Sequence, residues 1–487
     1  MPPNHPLCLC LCVAALCFPS IGFAGKKKRT PVAPKDPVER YSSVAAELYG
    51  KAMVSDESYE KLVELCDGIG HRLSGSPGLE QAIVWATKKM ATDGLDNVHT
   101  EPVQVPRWVR GEESLAMTAP HAHTFDILGL GMSVGTPAEG LEGEVVVIDN
   151  WEHLEKLGSQ VKGKIVLYDV PFTTYGETVQ YRSSGSSRAA KYGAIASLVR
   201  SVSPVSLSTP HTGTMRYEPE LPKIPGAAIS LEGATQIRRL TARGKTVRVQ
   251  LKMDARVDGQ VNSANVIGEV TGRQNPEEVV VLSCHLDSWD VGTGAQDDGA
   301  GCVAAMEATR LISTLKTPPR RTVRAVLYTN EENGLGGGRA YAETHAAQLS
   351  NHVAMIEMDT GSGQPLGFRV DARPNGTEEQ NDAERARIIK ALSPLIPLFE
   401  ATGATDWFPA YGGADIGPSV KKGVLGFGVH QDTSGYWPIH HTHADTVDKV
   451  DKQLLNKNVA AMAILAWLLA DWEDIPSVKR YSDTPKP

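Results

Sequence analysis

Histidine and carboxylate residues recur in short clusters through the carboxyl-terminal half of the chain. Cys284-His-Leu-Asp-Ser-Trp-Asp290 is followed by Asp297-Asp298, then Glu331-Glu332, Glu357-Met-Asp359 and His440-His441-Thr-His443-Ala-Asp445-Thr446. Histidine plus carboxylate with no thiolate pair suits zinc or a similar ion held in an open catalytic geometry. Two histidines and three carboxylates exceed the needs of one ion, but they suffice for two ions about 3.5–4 Å apart that share a bridging carboxylate. His285 and Asp287, at i and i+2, project to the same side of an extended segment, a spacing that suits a ligand and a carboxylate orienting its ring. The adjacent Glu331-Glu332 pair can supply one ligand and one base. His-Glu-x-x-His is absent from the sequence, which excludes a thermolysin-like helix site.

Taken singly, each piece is commonplace. His-x-Asp occurs as a surface polar pair, Glu-Glu before Asn-Gly as a solvated helix start, three histidines in four residues as a surface cluster, and Asp297-Asp298 as the cap of a helix beginning near Gly299. Placement argues for a site. Short apolar runs at 279–283, 323–329, 353–356 and 424–429 precede the clusters, and helices fit at 299–315, 338–349, 383–392 and 456–472. Such alternation indicates an α/β layer with a largely parallel sheet. The carboxyl ends of parallel strands line one crevice, so residues distant in sequence converge there.

Ahead of this region, 36–50 and 56–67 carry helical periodicity with acidic first turns, and Ser76-Pro77 opens a third helix that runs to Met90 and stops at Gly94. Strand-like alternation follows at 98–109. Between 120 and 255 the texture changes: short β runs at 143–148, 164–168, 227–230 and 247–251 alternate with two helix candidates near 152–158 and 186–193. This stretch has none of the clustered acidic and histidine residues and reads as an inserted accessory domain. No repeat at 20–50 residues is visible, which disfavours a solenoid.

At 487 residues with 41% apolar and 22% charged positions, the chain can bury a sizeable core. Its net charge of −8, with no basic block beyond Lys26 to Arg29, disfavours nucleic acid as a partner. Residues 7–24 are apolar, interrupted by Pro19 and followed by Gly25-Lys-Lys-Lys-Arg29, which reads as a cleaved export signal bound for secretion or the periplasm. The alternative is an anchoring helix; Cys17 as a lipoprotein cysteine is disfavoured by bulky Leu16. Four of the seven cysteines leave with that signal, and Cys66, Cys284 and Cys302 remain, an odd number that does not make a disulfide scaffold. Cys284 reads as a small strand residue facing away from His285, with ligation by its sulfur as the lesser alternative. No second long apolar run stands out, so the mature product is expected without stable membrane insertion. Asn375-Gly-Thr377 is a glycosylation acceptor if the source is eukaryotic.

With these residues in view, the chain resembles the co-catalytic di-zinc aminopeptidase and glutamate carboxypeptidase family. The likeness covers nearly the whole mature chain and includes Gly70-His-Arg-Leu-Ser-Gly-Ser-Pro-Gly78, Val105-Pro-Arg-Trp-Val-Arg-Gly111, Leu128-Gly-Leu-Gly131, Val179-Gln-Tyr-Arg182, Pro210-His-Thr-Gly213 and His285-Leu-Asp-Ser-Trp-Asp-Val-Gly292. The resemblance implies a mixed, largely parallel sheet flanked by helices, interrupted by a β-rich protease-associated domain. The expected division is a signal peptide at 1–24, catalytic parts at 25–119 and 256–475, an insert at 120–255 and a tail at 476–487.

Carried over by position, the resemblance implies two zinc ions per chain: His285 and Asp359 on one, Glu332 and His441 on the other, with Asp297 bridging. Glu331 would be the general base and Asp287 the partner of His285. His441 is chosen because it stands four positions before Asp445-Thr446; His443 is the runner-up. His440 stands where relatives place a group that steadies the oxyanion. Asp415, in Gly412-Gly-Ala-Asp-Ile416, matches a segment near the substrate, with a helix cap as its alternative. Tyr436, in the Tyr436-Trp437-Pro438 loop, would close one end of the cleft or simply pack. The implied activity is hydrolysis of dipeptides or short peptides with free termini by a di-zinc-bound water, in a homodimer. A strict aminopeptidase and a non-catalytic receptor-like relative are the alternatives; the latter would be expected to lose a ligand or the base, and all are present.

Overall fold

The computed structural model describes residues 36–373 and 376–479. The expected export signal at 1–24, Asn375 of the expected glycosylation acceptor and the end of the tail therefore lie outside the described residues. Three helices open the fold, α1 (Pro37–Val54), α2 (Glu57–Cys66) and α3 (Pro77–Thr92). Asp36 and Ser76 cap the first and third by accepting from Val38 N and Leu79 N, each with proline just inside, where its missing N–H costs nothing. There follow β1 (Asp96–Val109), β2 (Glu113–Ala119), β3 (His123–Phe125), β4 (Ile127–Gly129), β5 (Leu141–Ile148), α4 (Trp151–Leu157), β6 (Ile165–Tyr168), α5 (Tyr175–Ala190), β7 (Ala196–Arg200), β8 (Gly226–Ile229), α6 (Leu231–Ala242) and β9 (Arg248–Met253). The remainder comprises β10 (Arg256–Val270), β11 (Asn275–His285), α7 (Ala300–Ser313), β12 (Arg321–Tyr328), α8 (Gly336–Thr344), β13 (His352–Glu357), β14 (Pro365–Asp371), α9 (Glu378–Leu392), β15 (Asp406–Pro409), α10 (Gly417–Val420), β16 (Gly426–Gln431) and α11 (Lys452–Asp471).

These strands form two eight-stranded sheets. The first runs β1-β10-β12-β11-β13-β16-β14-β15, with a parallel centre from β12 to β16 and antiparallel partners outside it. Side chains alternate along β11: Val280, Leu282 and Cys284 pack among α1, α2, α7 and α11, while Val279 and Val281 face the cluster that includes Tyr341 of α8 and Val420 of α10. Both faces are covered, which is why these strands read as continuous apolar runs. Helix α11 is long and apolar enough by composition to cross a membrane, contrary to the expectation of no second apolar run, yet it is buried along nearly its whole length as the core helix of this face.

The second sheet runs β3-β2-β9-β5-β6-β7-β8-β4 and is drawn from Glu113 to Met253, its first strand lying ahead of residue 120. Its β5 to β8 strands are parallel, with α4, α5 and α6 among them. Helix α5 starts eleven residues before the expected 186 because its Gly/Ser-rich sequence hides a packing face: a Cβ on Gly185 would meet the Tyr168 ring at 2.7 Å. Cys284 does point away from His285, but into a disulfide with Cys302 of α7 (Cα to Cα 5.1 Å) rather than into plain packing. Cys66 stays a buried thiol.

Candidate metal centre and cleft

Strand ends of the first sheet deliver the side chains. His285 closes β11, and its Nδ1 lies 3.0 Å from the Asp287 carbonyl oxygen. With Nδ1 turned to that carbonyl, Nε2 is the atom aimed into the cluster, and it faces Asp297 Oδ1 at 3.2 Å and Asp359 Oδ1 at 3.3 Å. His441 repeats the arrangement: Nδ1 is 3.1 Å from the Thr212 carbonyl, and Nε2 faces Asp297 Oδ2 at 3.1 Å and Glu332 Oε2 at 3.2 Å. The two oxygens of Asp297 are thus each shared with a different histidine and a different acid. His440 stacks on His441 with ring centroids 3.5 Å apart and brings its Nε2 to 3.5 Å from Asp297 Oδ2. His443 is exposed.

Backbone anchors hold this geometry. Asp445 accepts from Gln296 N at 2.7 Å and Asp297 N at 3.1 Å. Asp298 accepts from Gly301 N at the start of α7 and from His285 N, so of the Asp297-Asp298 pair one carboxylate caps the helix and the other joins the cluster. The Asp287 carboxylate, 3.9 Å from His285 Nδ1, is occupied elsewhere: it accepts from Glu331 N, Glu332 N and the Ser74 hydroxyl. It thereby fixes the Glu331-Glu332 turn, while its own main-chain carbonyl orients His285. Glu357 accepts from Ala414 N and Ile416 N and so holds the 412–416 loop. His441 adopts φ 61°, a left-handed conformation that costs a non-glycine residue energy and is held here by packing.

Burial and mutual repulsion set the charge balance. Burial alone would lower the His285 pKa, but the charge of Asp359 and the bond to Asp297 raise it well above the ordinary value; for His441 the charge of Glu332 and contact with Asp297 do the same. Burial and neighbouring acids push Glu331 well above the carboxylate range. His440 is held well below the imidazole range by burial and by His441. The site is therefore a buried crowd of acids that, without a cation, limits its charge by keeping protons on Glu331 and on the two histidines. Glu332 Oε1 and Asp297 Oδ2 are buried without a hydrogen bond. Nitrogen and oxygen donors held about 2.0–2.2 Å from a tetrahedral ion stand about 3.3–3.6 Å apart, and the 3.1–3.3 Å separations around Asp297 lie at the lower edge of that spacing. Two ligand groups form, His285 with Asp297 and Asp359, and Asp297 with His440 and His441, with Glu332 beside His441.

The centre opens on a cleft of about 420 Å³ lined by Glu331, Asp359, Tyr436 and Trp437 from the first-sheet segment, and by Tyr175, Arg182, Thr214 and Arg216 from the second-sheet segment. Tyr175 stacks on Trp437 at 4.8 Å, and Thr212 N donates to the His441 carbonyl. Asp415 is buried outside the lining, with both carboxylate oxygens unpartnered and a pKa raised by burial and by Glu357. Sequence reasoning missed Asp445, Thr212 and Arg182 as parts of the centre; Val179-Gln-Tyr-Arg182 and Pro210-His-Thr-Gly213 were visible motifs without an assigned contact.

A mixed sheet whose strand ends gather histidine and carboxylate around one shared aspartate is the architecture of a metallo-exopeptidase. Residues 265–466 match peptidase family M28. Carboxypeptidase Q of Bos taurus is 41% identical over 456 residues, covering 93% of this chain and 94% of its own. The solved peptidase M28 precursor of Shewanella amazonensis SB2B superposes with a TM-score of 0.84 at 34% identity, covering 92% of this chain and all of that one. An aminopeptidase from Aneurinibacillus sp. strain AM-1, 19% identical over 90% of this chain and 98% of its own, shares the fold with a TM-score of 0.60. The chain belongs to peptidase family M28, as a carboxypeptidase Q-like member.

Proposed function

We propose that this chain is a zinc-dependent exopeptidase that hydrolyses dipeptides or short peptides with free termini. The observation that carries the proposal is the sharing of Asp297 between two ligand groups. His285 and Asp359 would hold one zinc ion, Glu332 and His441 a second, with Asp297 on both; all donors are nitrogen or oxygen, and the orphaned buried oxygens of Asp297 and Glu332 suit such occupancy. When bound, the ions supply Lewis acidity, lowering the pKa of a water toward about 7 and polarising the scissile carbonyl.

Glu331 lines the cleft beside Asp297 and Asp359 and is the base: its carboxylate takes the proton of the attacking water and returns it to the leaving amine. Positive charge on bound ions would offset the burial and acid repulsion that raise its pKa, leaving it ionised. Asp287 aims it by holding its backbone N–H. Neutral His440, above the cluster, is placed to donate to the developing oxyanion, and Tyr436 and Trp437 with Tyr175 close one end of the cleft over a short substrate. The segment of the second sheet acts as an insert completing that wall.

Glu331→Gln tests the assignment. Zinc content is expected to stay near two per chain while dipeptide hydrolysis falls by three orders of magnitude or more, on the order of general-base contributions combined with lost positioning. Turnover retained in that variant would remove Glu331 from the mechanism, and wild-type zinc near one per chain would overturn the bridged pair.

A further inference from the structure

Resting on that function, we propose that Arg369 is the specificity residue of the cleft, receiving a carboxylate of the substrate and thereby selecting peptides with a free carboxyl terminus. Arg369 stands on β14 and lines the same cleft as Glu331, Asp359 and Tyr411. Its guanidinium makes one hydrogen bond, from Nη2 to the Val429 carbonyl at 3.1 Å. Nε is buried with no partner, and among the described residues the group makes no ion pair. Burial pulls its pKa below the ordinary arginine value in spite of the negative charge of Asp359 and Glu357 nearby. A half-buried cation with Nε sealed from water without a partner and Nη1 uncommitted on the cleft side is completed by an anion.

The fold makes room for this group. A Cβ on Gly428 would come within 3.0 Å of Arg369 Nε and 2.2 Å of the Gly412 carbonyl, so only glycine lets the guanidinium and the 412–416 loop share the space. The other cleft arginines differ. Arg182 spends Nη1 on the Thr212 carbonyl and Nη2 on the Tyr175 hydroxyl, and Arg216 is exposed. Arg182 also keeps a buried, unpartnered Nε, but both of its terminal nitrogens are spent, whereas Arg369 commits only Nη2; a planar guanidinium fork matches a carboxylate bidentately in a way that lysine does not. The carboxylate in question is the main-chain terminus; an acidic side chain of the substrate is the other source of the same chemistry.

The test compares wild type, Arg369→Gln and Arg369→Lys on one neutral dipeptide as free acid and as carboxyl-terminal amide, and on a dipeptide amide bearing a Glu side chain, with zinc content measured throughout. Wild type is expected to prefer the free acid. Arg369→Gln is expected to lower kcat/KM for the free acid about tenfold or more, chiefly through KM, while leaving the neutral amide within about twofold, because a site built to pair with a group discriminates against its absence. Arg369→Lys is expected to recover only part of the loss. Equal loss on acid and amide, or no loss on either, overturns the proposal, and loss confined to the Glu-bearing amide moves the contact to the side chain and overturns the terminal assignment. Should wild type cleave nothing, the hydrolase function fails separately. Calorimetric binding of a dipeptide with its peptide bond reduced to an amine, as acid and as amide, still reads the contact: Arg369→Gln must weaken the acid alone.

Discussion

At the scale of single residues, the centre depends on acceptors that bind no ion. Asp445 grips the backbone of Gln296 and Asp297, so it sets where the shared carboxylate stands. Asp445→Asn keeps one acceptor and puts an amide donor against the other of those two N–H groups. It is expected to weaken zinc affinity about 10- to 100-fold, as loss of such outer supports does, with the fold retained; a competition titration against a chelator of known affinity checks it, and unchanged affinity would remove Asp445 from the support. Which residues touch was legible where chemistry and strand ends coincide, as with His285 or Glu332. It was not legible where the contact is made by backbone: Asp287 was visible as a partner for His285, but its carboxylate holds the Glu331-Glu332 turn and its carbonyl does the orienting, a division that side-chain type does not encode.

At the scale of elements, the motif Gly70 to Gly78 preceding α3 works as a clamp. Arg72 is fully buried and donates Nε to the Leu286 carbonyl at 2.7 Å, Nη1 to Thr293 at 2.6 Å and Nη2 to Gly294 at 2.9 Å, gripping both ends of the loop between His285 and Asp297. Arg72→Met takes the partner from the Leu286 and Thr293 carbonyls, while Gly294 keeps the Gly299 N–H, and is expected to destabilise the chain by about 2–4 kcal/mol, at about 1–3 kcal/mol for each unmet group. Urea unfolding followed by circular dichroism measures it, and a shift under about 1 kcal/mol would mean the loop finds other partners. The parallel centre of the first sheet was readable because its strands are buried on both faces and written in Val, Ile and Leu. Strands β14 and β15, which seat Arg369 and the edge, were not, since Pro, Gly and Asp interrupt their short runs. Helix α6, amphipathic and Arg-rich, was passed over among the β runs around it.

For the molecule as a whole, concentrated acid is a liability until a cation arrives. Burial, followed by the charge of Asp359, lifts Glu357 from 4.5 to about 7, and burial, followed by the backbone contacts and Asp297, leaves Asp445 at about 7 against an ordinary 3.8. A carboxyl raised in the folded state favours folding while it keeps its proton. That contribution is fully present below the ordinary carboxylate range and is lost as pH rises through about 7. The melting temperature of chelated protein is thus expected to fall between pH 4.5 and 7.5, while zinc-loaded protein changes less and the gain on adding zinc widens with pH; a gain that shrinks over that interval would contradict the charge balance described. Thr212, on a loop between β7 and β8, carries a different consequence. Because its carbonyl lies against His441 Nδ1, the second-sheet segment is not an exchangeable module: a chimera carrying a foreign segment there inherits a working centre only if the graft brings a carbonyl to that spot, and drift in the segment can retune the enzyme without altering a single ligand.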